Sequence, residues 1–341
     1  DLEKYLDEAI QASDSNPVLL DRFLDIATEL DIEAISDGSQ VEIYGVMQHI
    51  EQAGIHSGDS ACSLPPYSLP DKVIKKIKEQ VRVIAKEMDI IGLLNVQMAY
   101  ANEEIFLLEV NPRASRTIPF VSKAIGLPLA KIASKTMIGK SLKQQKIKNP
   151  SNLNHFSVKE AVLPFDRFQN VDPILGPEMK STGEVMGIGR SFAEAYDKSQ
   201  ISAGTIIPDG GSVFLSVREN DKPHLEELAT RLDQLNLSIV ATKGTAREIQ
   251  KMGIKARIIN KVAEGRPHVV DLIKNNEISL LINTTEGKES IQDSSSIRRT
   301  ALDNKIPCTT TLQGGLAICE VLEKRLDWSV QNIQDIHKSI E

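Results

Sequence analysis

Residues 93–116, LLNVQMAYANEEIFLLEVNPRASR, combine two strand-like runs with polar groups where a core hairpin would be apolar. With the turn at Asn102-Glu103-Glu104, Gln97 lies opposite Glu109, and directly paired side chains share one face of a sheet. Asn111, two residues further on, points to the same side. This face would present one carboxylate and two amide oxygens, a ligand set suited to magnesium.

The same register pairs Ala101 with Ile105 across the turn. Arg113 and Arg116 follow the second strand within a turn, where they could hold phosphate oxygens or neutralise developing charge. A hairpin with a solvent-facing polar edge is the alternative interpretation of this segment taken alone.

The elements around the hairpin are predicted from hydrophobic periodicity. Asp71 is placed to cap the helix that precedes the hairpin. Residues 155–203 complete this module and lead out of it. In chain order we expect a helix at 1–12, a strand at 17–24, a helix at 71–88, helical turns through 119–138 and a surface loop at 140–154.

From residue 204 onward, strand-like runs alternate with helical stretches, which predicts a parallel sheet covered on both faces. Leu225, Leu228, Leu232 and Leu235 line one face of the first of these helices. We therefore expect an α/β chain with two modules, 1–203 and 204–341, the second a doubly wound domain. The predicted strands of that domain are 212–218, 237–242, 256–260, 278–284 and 306–311.

Three polar clusters in the second module follow predicted strands, at the sheet end where doubly wound domains bind ligands. They are Thr242-Lys243-Gly244-Thr245, Lys261 and Asn283-Thr284-Thr285. Hydroxyls, a glycine and backbone N–H groups at a helix start suit a phosphate group. Helix capping by Thr and Asn is the simpler alternative for each cluster taken alone.

Composition excludes several classes of protein. A net charge of −7, one Trp and five Tyr argue against a nucleic-acid surface. No apolar run approaches the roughly 18–20 residues that span a bilayer, and no signal sequence is visible. Cys62, Cys308 and Cys319 show neither metal nor disulfide spacing, so we expect reduced thiols in a cytoplasmic protein.

Long strings of this sequence resemble one family, the large chain of carbamoyl-phosphate synthetase. The hairpin resembles the metal-binding end of an ATP-grasp domain, and the order of the parts resembles the C-terminal half, with a methylglyoxal-synthase-like regulatory domain last. Because the chain opens at Asp1 inside the ATP-grasp module, we expect a fragment. The strings are QHIEQAGIHSGDSACSLP (48–65), EVNPRASRTIPFVSKAIGLPLAKIASKTMIGKSL (109–142), HFSVKEAVLPFDRF (155–168) and GPEMKSTGEVMG (176–187).

The resemblance implies a ligase that phosphorylates carbamate with a second ATP. By that resemblance, Gln97, Glu109 and Asn111 hold two Mg²⁺ or Mn²⁺ ions, K⁺ is a further cation, and Arg113 and Arg116 act in catalysis near the phosphate and carbamate. The nucleotide would be contacted by Gln97 and Glu109 and also by Arg22, Leu24, Glu29, Gly54, Ile55, His56 and Ser57.

The resemblance also implies allosteric control. UMP as inhibitor and IMP as activator would bind at Lys222, Thr242, Thr245, Lys261, Asn283 and Thr285. Ornithine would bind at Glu51, Asp59, Glu160 and Thr310. A methylglyoxal-synthase-like lyase is the alternative for the second module, but the segment TTEGKE after the fourth strand lacks the Asp that would serve as general base.

The family further implies a glutaminase small subunit, the remainder of the large chain, an oligomer of heterodimers, and a role in pyrimidine and arginine synthesis. Two rivals stay open: another ATP-grasp ligase such as a biotin-dependent carboxylase subunit, and a regulatory or assembly fragment without catalysis. ATP formation from ADP and carbamoyl phosphate separates them, and we expect little or none from this chain alone.

Overall fold

The computed structural model describes residues 2–13, 17–18, 20, 24, 26–148, 150, 153–168, 171–325 and 328–340, with the side chains of 288 and 289 excepted. These residues form two sheets, one antiparallel and one parallel. The predicted strand at 17–24 falls largely outside the described residues, and its described positions adopt no regular secondary structure. No helix in the described ranges is long and apolar enough to cross a membrane.

The first sheet has strand order β5-β4-β1-β2-β3-β6-β7, and each pairing within it is antiparallel. One face packs on the long helix α2, and the other packs on α3 and α4. The strands are β1 (Thr28–Asp37), β2 (Val41–His49), β3 (Cys62–Leu64), β4 (Ile91–Ala101), β5 (Glu104–Asn111), β6 (Phe156–Val162) and β7 (Gly183–Gly189). The helices are α1 (Leu2–Ala12), α2 (Asp71–Glu87), α3 (Ile118–Ile125), α4 (Leu129–Met137), α5 (Leu142–Gln145) and α6 (Phe192–Ala203).

Two local predictions for this module are wrong. Asp71 does not cap α2: Pro70 occupies the N-cap position without a side-chain hydrogen bond, and Asp71 is the first helical residue. The segment 140–154 is not loop throughout, because it contains α5. The Ser141 hydroxyl caps that short helix, and Leu142 buries its side chain in the core, which anchors a turn of helix too short to show periodicity.

The second sheet is parallel throughout, with order β10-β9-β8-β11-β12, which confirms the doubly wound prediction. Separate apolar clusters cover its two faces. Of the predicted stripe, Leu225, Leu228 and Leu232 are buried and Leu235 is partly buried. The strands are β8 (Ser212–Ser216), β9 (Ser238–Thr242), β10 (Ala256–Ile259), β11 (Leu280–Asn283) and β12 (Cys308–Thr309). The helices are α7 (Leu225–Gln234), α8 (Lys243–Lys251), α9 (Val269–Lys274), α10 (Lys288–Asp303), α11 (Leu312–Lys324) and α12 (Ile333–Lys338).

The two modules share a hydrophobic core. Helix α6 packs against α11, and Phe192 belongs to the same buried cluster as Leu228 and Ile318. Apolar area removed from water at such a contact stabilises the docked arrangement by roughly 25 cal/mol per Å². Side chains of both modules can therefore meet at their junction.

Candidate nucleotide and effector sites

The hairpin β4–β5 brings Gln97 and Glu109 into direct register, as the sequence predicts. The turn and the pairing next to it, however, differ from the prediction. The turn has two residues, Asn102 and Glu103, both at positive φ (51° and 63°), so Ala101 pairs with Glu104 and the predicted pairing of Ala101 with Ile105 is wrong.

A β-bulge restores the predicted alignment further from the turn. Met98 pairs with Leu107, but the next pair is Gln97 with Glu109, so Leu108 is the extra residue. Asn111, two residues after Glu109, lies on the same face, opposite Asn95. One local irregularity therefore decides which side chains reach the candidate metal face.

The candidate metal face consists of Gln97, Glu109 and Asn111. Glu109 is exposed and the two amides are half-buried, so the face is open to a ligand. The Asn111 Nδ2 donates to Glu109 Oε1 and, at 3.5 Å, to the Asn95 side-chain oxygen. That leaves the Asn111 amide oxygen as the atom for a cation. Within the described part of the chain, no group of three or more His, Cys, Asp and Glu is arranged to hold a metal ion, and this face would supply a single carboxylate.

Both candidate catalytic arginines lie in the loop 112–117 that follows β5, and both are exposed. The Arg113 Nη1 donates to the Ala114 carbonyl at 3.2 Å. The Arg116 Nη1 lies 2.6 Å from the Met179 sulfur. Neither guanidinium forms an ion pair within the described residues, so both keep donors available for an anion.

The structure brings together Glu29 and the loop 54–57, which was predicted to contact the nucleotide. The Gly54 N–H donates to Glu29 Oε2 at 3.2 Å, and burial raises the pKa of the Glu29 carboxyl. Gly54 has φ +93°, which a residue with a side chain rarely adopts. Arg22 lies outside the described residues, and Leu24 lines a cavity described below.

The rest of this loop is held by backbone contacts. Ile55 is buried in the fold. The His56 N–H donates to the Gly176 carbonyl at 2.9 Å, and its Nδ1 accepts from the Gly58 N–H at 3.0 Å. The Ser57 carbonyl accepts from the Lys159 ammonium at 3.1 Å. The imidazole is thus fixed beside the segment around residue 176.

A buried polar cluster beside the metal face, on the adjacent strand β1, was missed by the sequence analysis. Asp31 and Glu33 point inward from β1, and Asn95 donates to both, at 3.2 Å and 2.8 Å. The second Asp31 oxygen bonds His49 Nε2 at 3.0 Å. The signal was present in TELDIEAISD, where Asp31 and Glu33 alternate with apolar residues as Gln97 does in β4.

The carboxyl ends of three adjacent parallel strands bring together the predicted phosphate-binding groups of the second module. Asn283 pairs with Ser216, and the Ser216 hydroxyl lies 3.2 Å from that of Thr242. The Thr245 hydroxyl, in the first turn of α8, lies 3.3 Å from Thr242 and accepts from the Val217 N–H at 3.1 Å. Ser216 is a member of this cluster that the sequence analysis missed, although it also ends a strand.

The cluster has a donor without a partner and one nearby cation, Lys222, which is paired with Glu219 at 2.5 Å. The Asn283 side chain is 1% exposed, and its Nδ2 has no hydrogen-bond partner. The Lys222 ammonium lies over the start of α8, 3.3 Å from where a Cβ on Gly244 would be. Lys261 follows β10 and is exposed, and Thr285 is half-buried beyond the end of β11.

A cavity of 640 Å³ opens between the two modules. From the first module it is lined by Leu24, Glu51 and Tyr67, and from the second by Thr311 and the acidic start of α7. The cavity therefore touches the predicted nucleotide stretch, one predicted ornithine ligand and the regulatory module at once.

Glu51 and Glu160 form a half-buried acidic pair beside this cavity. Burial, reinforced by the negative charge of Glu51, raises the pKa of Glu160 to about 8. Burial likewise raises the pKa of Glu51, whose carboxylate accepts from the Ala61 N–H at 2.6 Å. The Gln200 amide donates to Glu160. Two carboxyls that resist ionisation in this way favour a bound cation.

The other two predicted ornithine ligands have different surroundings. Asp59 is 1% exposed, and its two carboxylate oxygens accept from the backbone N–H groups of Lys180 and Ser181 at 2.7 and 2.8 Å. Thr310 is half-buried between β12 and α11, next to Thr311 of the cavity wall. Thr310 therefore lies near the junction of the modules, whereas the contacts of Asp59 are within the first module.

Comparison with known proteins agrees with this two-module architecture. Residues 1–145 match the family description "Carbamoyl-phosphate synthase L chain, ATP binding domain", and residues 224–310 match "MGS-like domain". All 341 residues align at 56% identity with a "Carbamoyl phosphate synthase large chain" from Pseudomonas syringae pv. tomato, and at 57% with that from Pseudomonas aeruginosa. The chain belongs to the carbamoyl phosphate synthase large-chain family.

The chain spans 32% of the length of these large-chain relatives. Among solved structures, a biotin carboxylase domain of a thermophilic 2-oxoglutarate carboxylase is similar with a TM-score of 0.47, at 15% identity over 60% of this chain and 52% of that one. The family prediction made from the sequence strings is confirmed, as is the fold class of an ATP-grasp-type module followed by a methylglyoxal-synthase-like domain.

Proposed function

We propose that this chain contributes the metal and phosphate side of the ATP site that converts carbamate to carbamoyl phosphate, as part of a longer large chain. The observation that carries the proposal is the bulged hairpin, which aligns Gln97, Glu109 and Asn111 on one open face. The loop 112–117, called here the arginine loop because it carries Arg113 and Arg116, directly follows Asn111 of that face. Phosphoryl transfer needs little from a protein beyond positioning and charge neutralisation.

The chain's own residues have distinct roles in this proposal. Gln97, Glu109 and Asn111 would hold the divalent ions, which when bound would neutralise the charge of the ATP phosphates. Arg113 and Arg116 would bind the transferred phosphoryl group and the carbamate. The buried Glu29 would accept the ribose hydroxyls, with the loop 54–57 packed on the nucleotide.

Substitution of the single carboxylate of this face tests the proposal. Glu109→Gln should weaken Mn²⁺ binding in the presence of ATP by at least ~10-fold, measured by electron paramagnetic resonance, because a hard cation loses its charged ligand. Glu104→Gln removes an exposed carboxylate at the other end of β5 and should leave binding unchanged. Equal affinities for Glu109→Gln and the unmodified chain would refute the metal assignment.

We propose that the second module is a sensor of phosphorylated nucleotides, UMP and IMP, rather than a lyase. The unpartnered Asn283 amide, the hydroxyls of Thr242 and Thr245, and the cations Lys222 and Lys261 suit a phosphate and its base or ribose. The first turn of α8 adds backbone N–H groups and the positive end of a helix dipole.

Calorimetric titration of UMP and IMP tests this proposal. Binding by the unmodified chain should be lost in Lys261→Ala and retained in Lys255→Ala, whose exposed lysine precedes β10 and so lies at the other end of the sheet. Absence of binding by the unmodified chain would refute the sensor, and methylglyoxal production from dihydroxyacetone phosphate would support the lyase instead.

We further propose that ornithine binds at the module junction, next to Glu51 and Glu160. The half-buried acidic pair and the cavity that reaches Glu51 support a cationic amino acid there. Asp59 and Thr310 join this site in the proposal. Ornithine would couple the modules because it would contact both, provided that its affinity differs between their arrangements.

The full assembly in this proposal is a cytoplasmic glutamine-hydrolysing ligase that uses bicarbonate, glutamine-derived ammonia and two ATP for pyrimidine and arginine synthesis. It includes a glutaminase small subunit and the remainder of the large chain, in an oligomer of heterodimers. The 32% coverage of the large-chain relatives supports the need for that remainder. Copurification of the chain with the separately expressed remainder and small subunit tests it.

A further inference from the structure

We infer that Glu33 is a positioning residue that fixes the arginine loop relative to the metal face. The inference rests on the proposed role of that face and loop in phosphoryl transfer. Glu33 is fully buried, and a single oxygen, Oε1, accepts hydrogen bonds from three side chains. The donors are Asn95 Nδ2 at 2.8 Å, the Ser115 hydroxyl and the Thr117 hydroxyl at 2.5 Å.

Two of these donors belong to the loop that carries the candidate catalytic arginines. Ser115 and Thr117 flank Arg116, and Arg113 lies two residues before Ser115. Thr117 occupies the N-cap position of α3, yet its side chain makes no capping bond and donates to Glu33 instead. A Thr at an N-cap usually contributes about 1 kcal/mol by capping. Here the hydroxyl holds the loop against β1.

The third donor connects the same carboxylate to the metal face. The Asn95 Nδ2 donates hydrogen bonds to Glu33 and to Asp31. The Asn95 side-chain oxygen accepts a hydrogen bond from Asn111 Nδ2 at 3.5 Å. Asn111 is a proposed cation ligand. Glu33 therefore contacts the arginine loop directly and reaches the proposed ion-binding amide of Asn111 through Asn95, so that it sets the distance between them.

A purely structural role explains this arrangement poorly. The second Glu33 oxygen, Oε2, is buried without a hydrogen-bond partner. Burial of a carboxyl group that is only half satisfied is unfavourable, and an apolar side chain of similar size would stabilise the sheet better. An apolar side chain, however, could not accept hydrogen bonds from the Ser115 and Thr117 hydroxyls.

Two measurements on the full 341-residue chain test the inference. Hydrogen–deuterium exchange reports the order of peptide 112–118, and electron paramagnetic resonance reports Mn²⁺ binding with ATP. Glu33→Ala should speed exchange in that peptide but not in β1 or β2, and should weaken Mn²⁺·ATP binding by at least ~10-fold. Glu33→Gln keeps the accepting oxygen and should restore both. Glu194→Ala, which removes a buried carboxyl at the N-terminus of α6, should change neither.

The outcomes separate the possible failures. Unchanged loop exchange in Glu33→Ala, or faster exchange throughout the sheet, would overturn the inference. If Glu33→Ala does not fold, Ser115→Ala with Thr117→Val deletes the same two donors from the loop side and must speed exchange at 112–118. If the unmodified chain binds no Mn²⁺·ATP, the proposed ATP site fails in this chain, and the exchange measurement still decides whether Glu33 orders the loop.

Discussion

The buried Arg298 of the second module forms an ion pair with the half-buried Asp172 of the first. Its Nε donates to Asp172 Oδ1 at 2.8 Å, its Nη2 donates to Oδ2, and the Arg298 side chain is 1% exposed. The neighbouring Arg299 donates to the carbonyls of Phe165 and Phe168. Helix α10 begins just after the Asn283–Thr285 cluster. Its two arginines therefore bind the segment 165–172 of the first module.

Removal of Asp172 should destabilise the docked modules. Asp172→Ala leaves the Arg298 guanidinium buried without its counter-charge, which costs about 3–5 kcal/mol of unfolding free energy. Glu277→Gln breaks the exposed pair of Arg257 and Glu277 and should cost below about 1 kcal/mol. Urea unfolding followed by Trp328 fluorescence and circular dichroism measures both. Equal midpoints for the two variants would contradict the assigned importance of the pair formed by Arg298 and Asp172.

Glu33 should make stability depend on pH near neutrality. Burial, with a further contribution from Asp31, raises its pKa from 4.5 to about 7 in the folded chain, against hydrogen bonds from Ser115, Thr117 and Asn95 that lower it. A carboxyl with a raised folded pKa stabilises fully below pH 4.5, and that stability is lost as the pH rises to 7. Glu33→Gln should therefore gain up to about 3 kcal/mol over the unmodified chain above pH 7 and nothing near pH 4.5. Urea midpoints across this range test the sign, and a gain that is largest at low pH would contradict it.

The unpartnered amide of Asn283 should matter for nucleotide binding and not for folding. Asn283→Leu keeps the side-chain volume and removes a buried donor, so thermal stability should stay equal or rise by about 1 kcal/mol. UMP affinity should fall by ~10-fold, because the lost hydrogen bond to a ligand acceptor is of the order of 1.4 kcal/mol. Calorimetry measures both effects. Asn304→Leu, at the far end of α10, is the control for affinity.

Ornithine affinity should increase with pH through the titration of Glu160. Below its pKa of about 8 this carboxyl is protonated in the free protein, and the cationic ligand favours the ionised form. Affinity should therefore rise by up to ~10-fold per pH unit between pH 6 and 8, and level off above. Glu160→Gln should bind more weakly and lose this dependence. A flat profile for the unmodified chain would contradict a site at Glu160.

Local sequence patterns predicted the elements and the chemistry that each one carries. Strand–helix alternation predicted the parallel sheet with Thr242 and Asn283 at one end, because the direction of side chains along an element follows from residue spacing. The predicted pairing of Gln97 with Glu109 is present as well, but it depends on a two-residue turn and a β-bulge at Leu108 that alternation did not predict. The family strings likewise predicted the fold class from local sequence.

Tertiary structure alone decided how these elements meet. Glu33 contacts Asn95 and Thr117 across 62 and 84 residues of chain, and Arg298 reaches Asp172 across 126. Such contacts follow from strand order and from the docking of the two modules, which no local periodicity encodes. The sequence determined which groups could bind metal, phosphate and a cation. The three-dimensional packing determined which buried carboxyls hold those groups in place, because burial and pairing are properties of the assembled sheets.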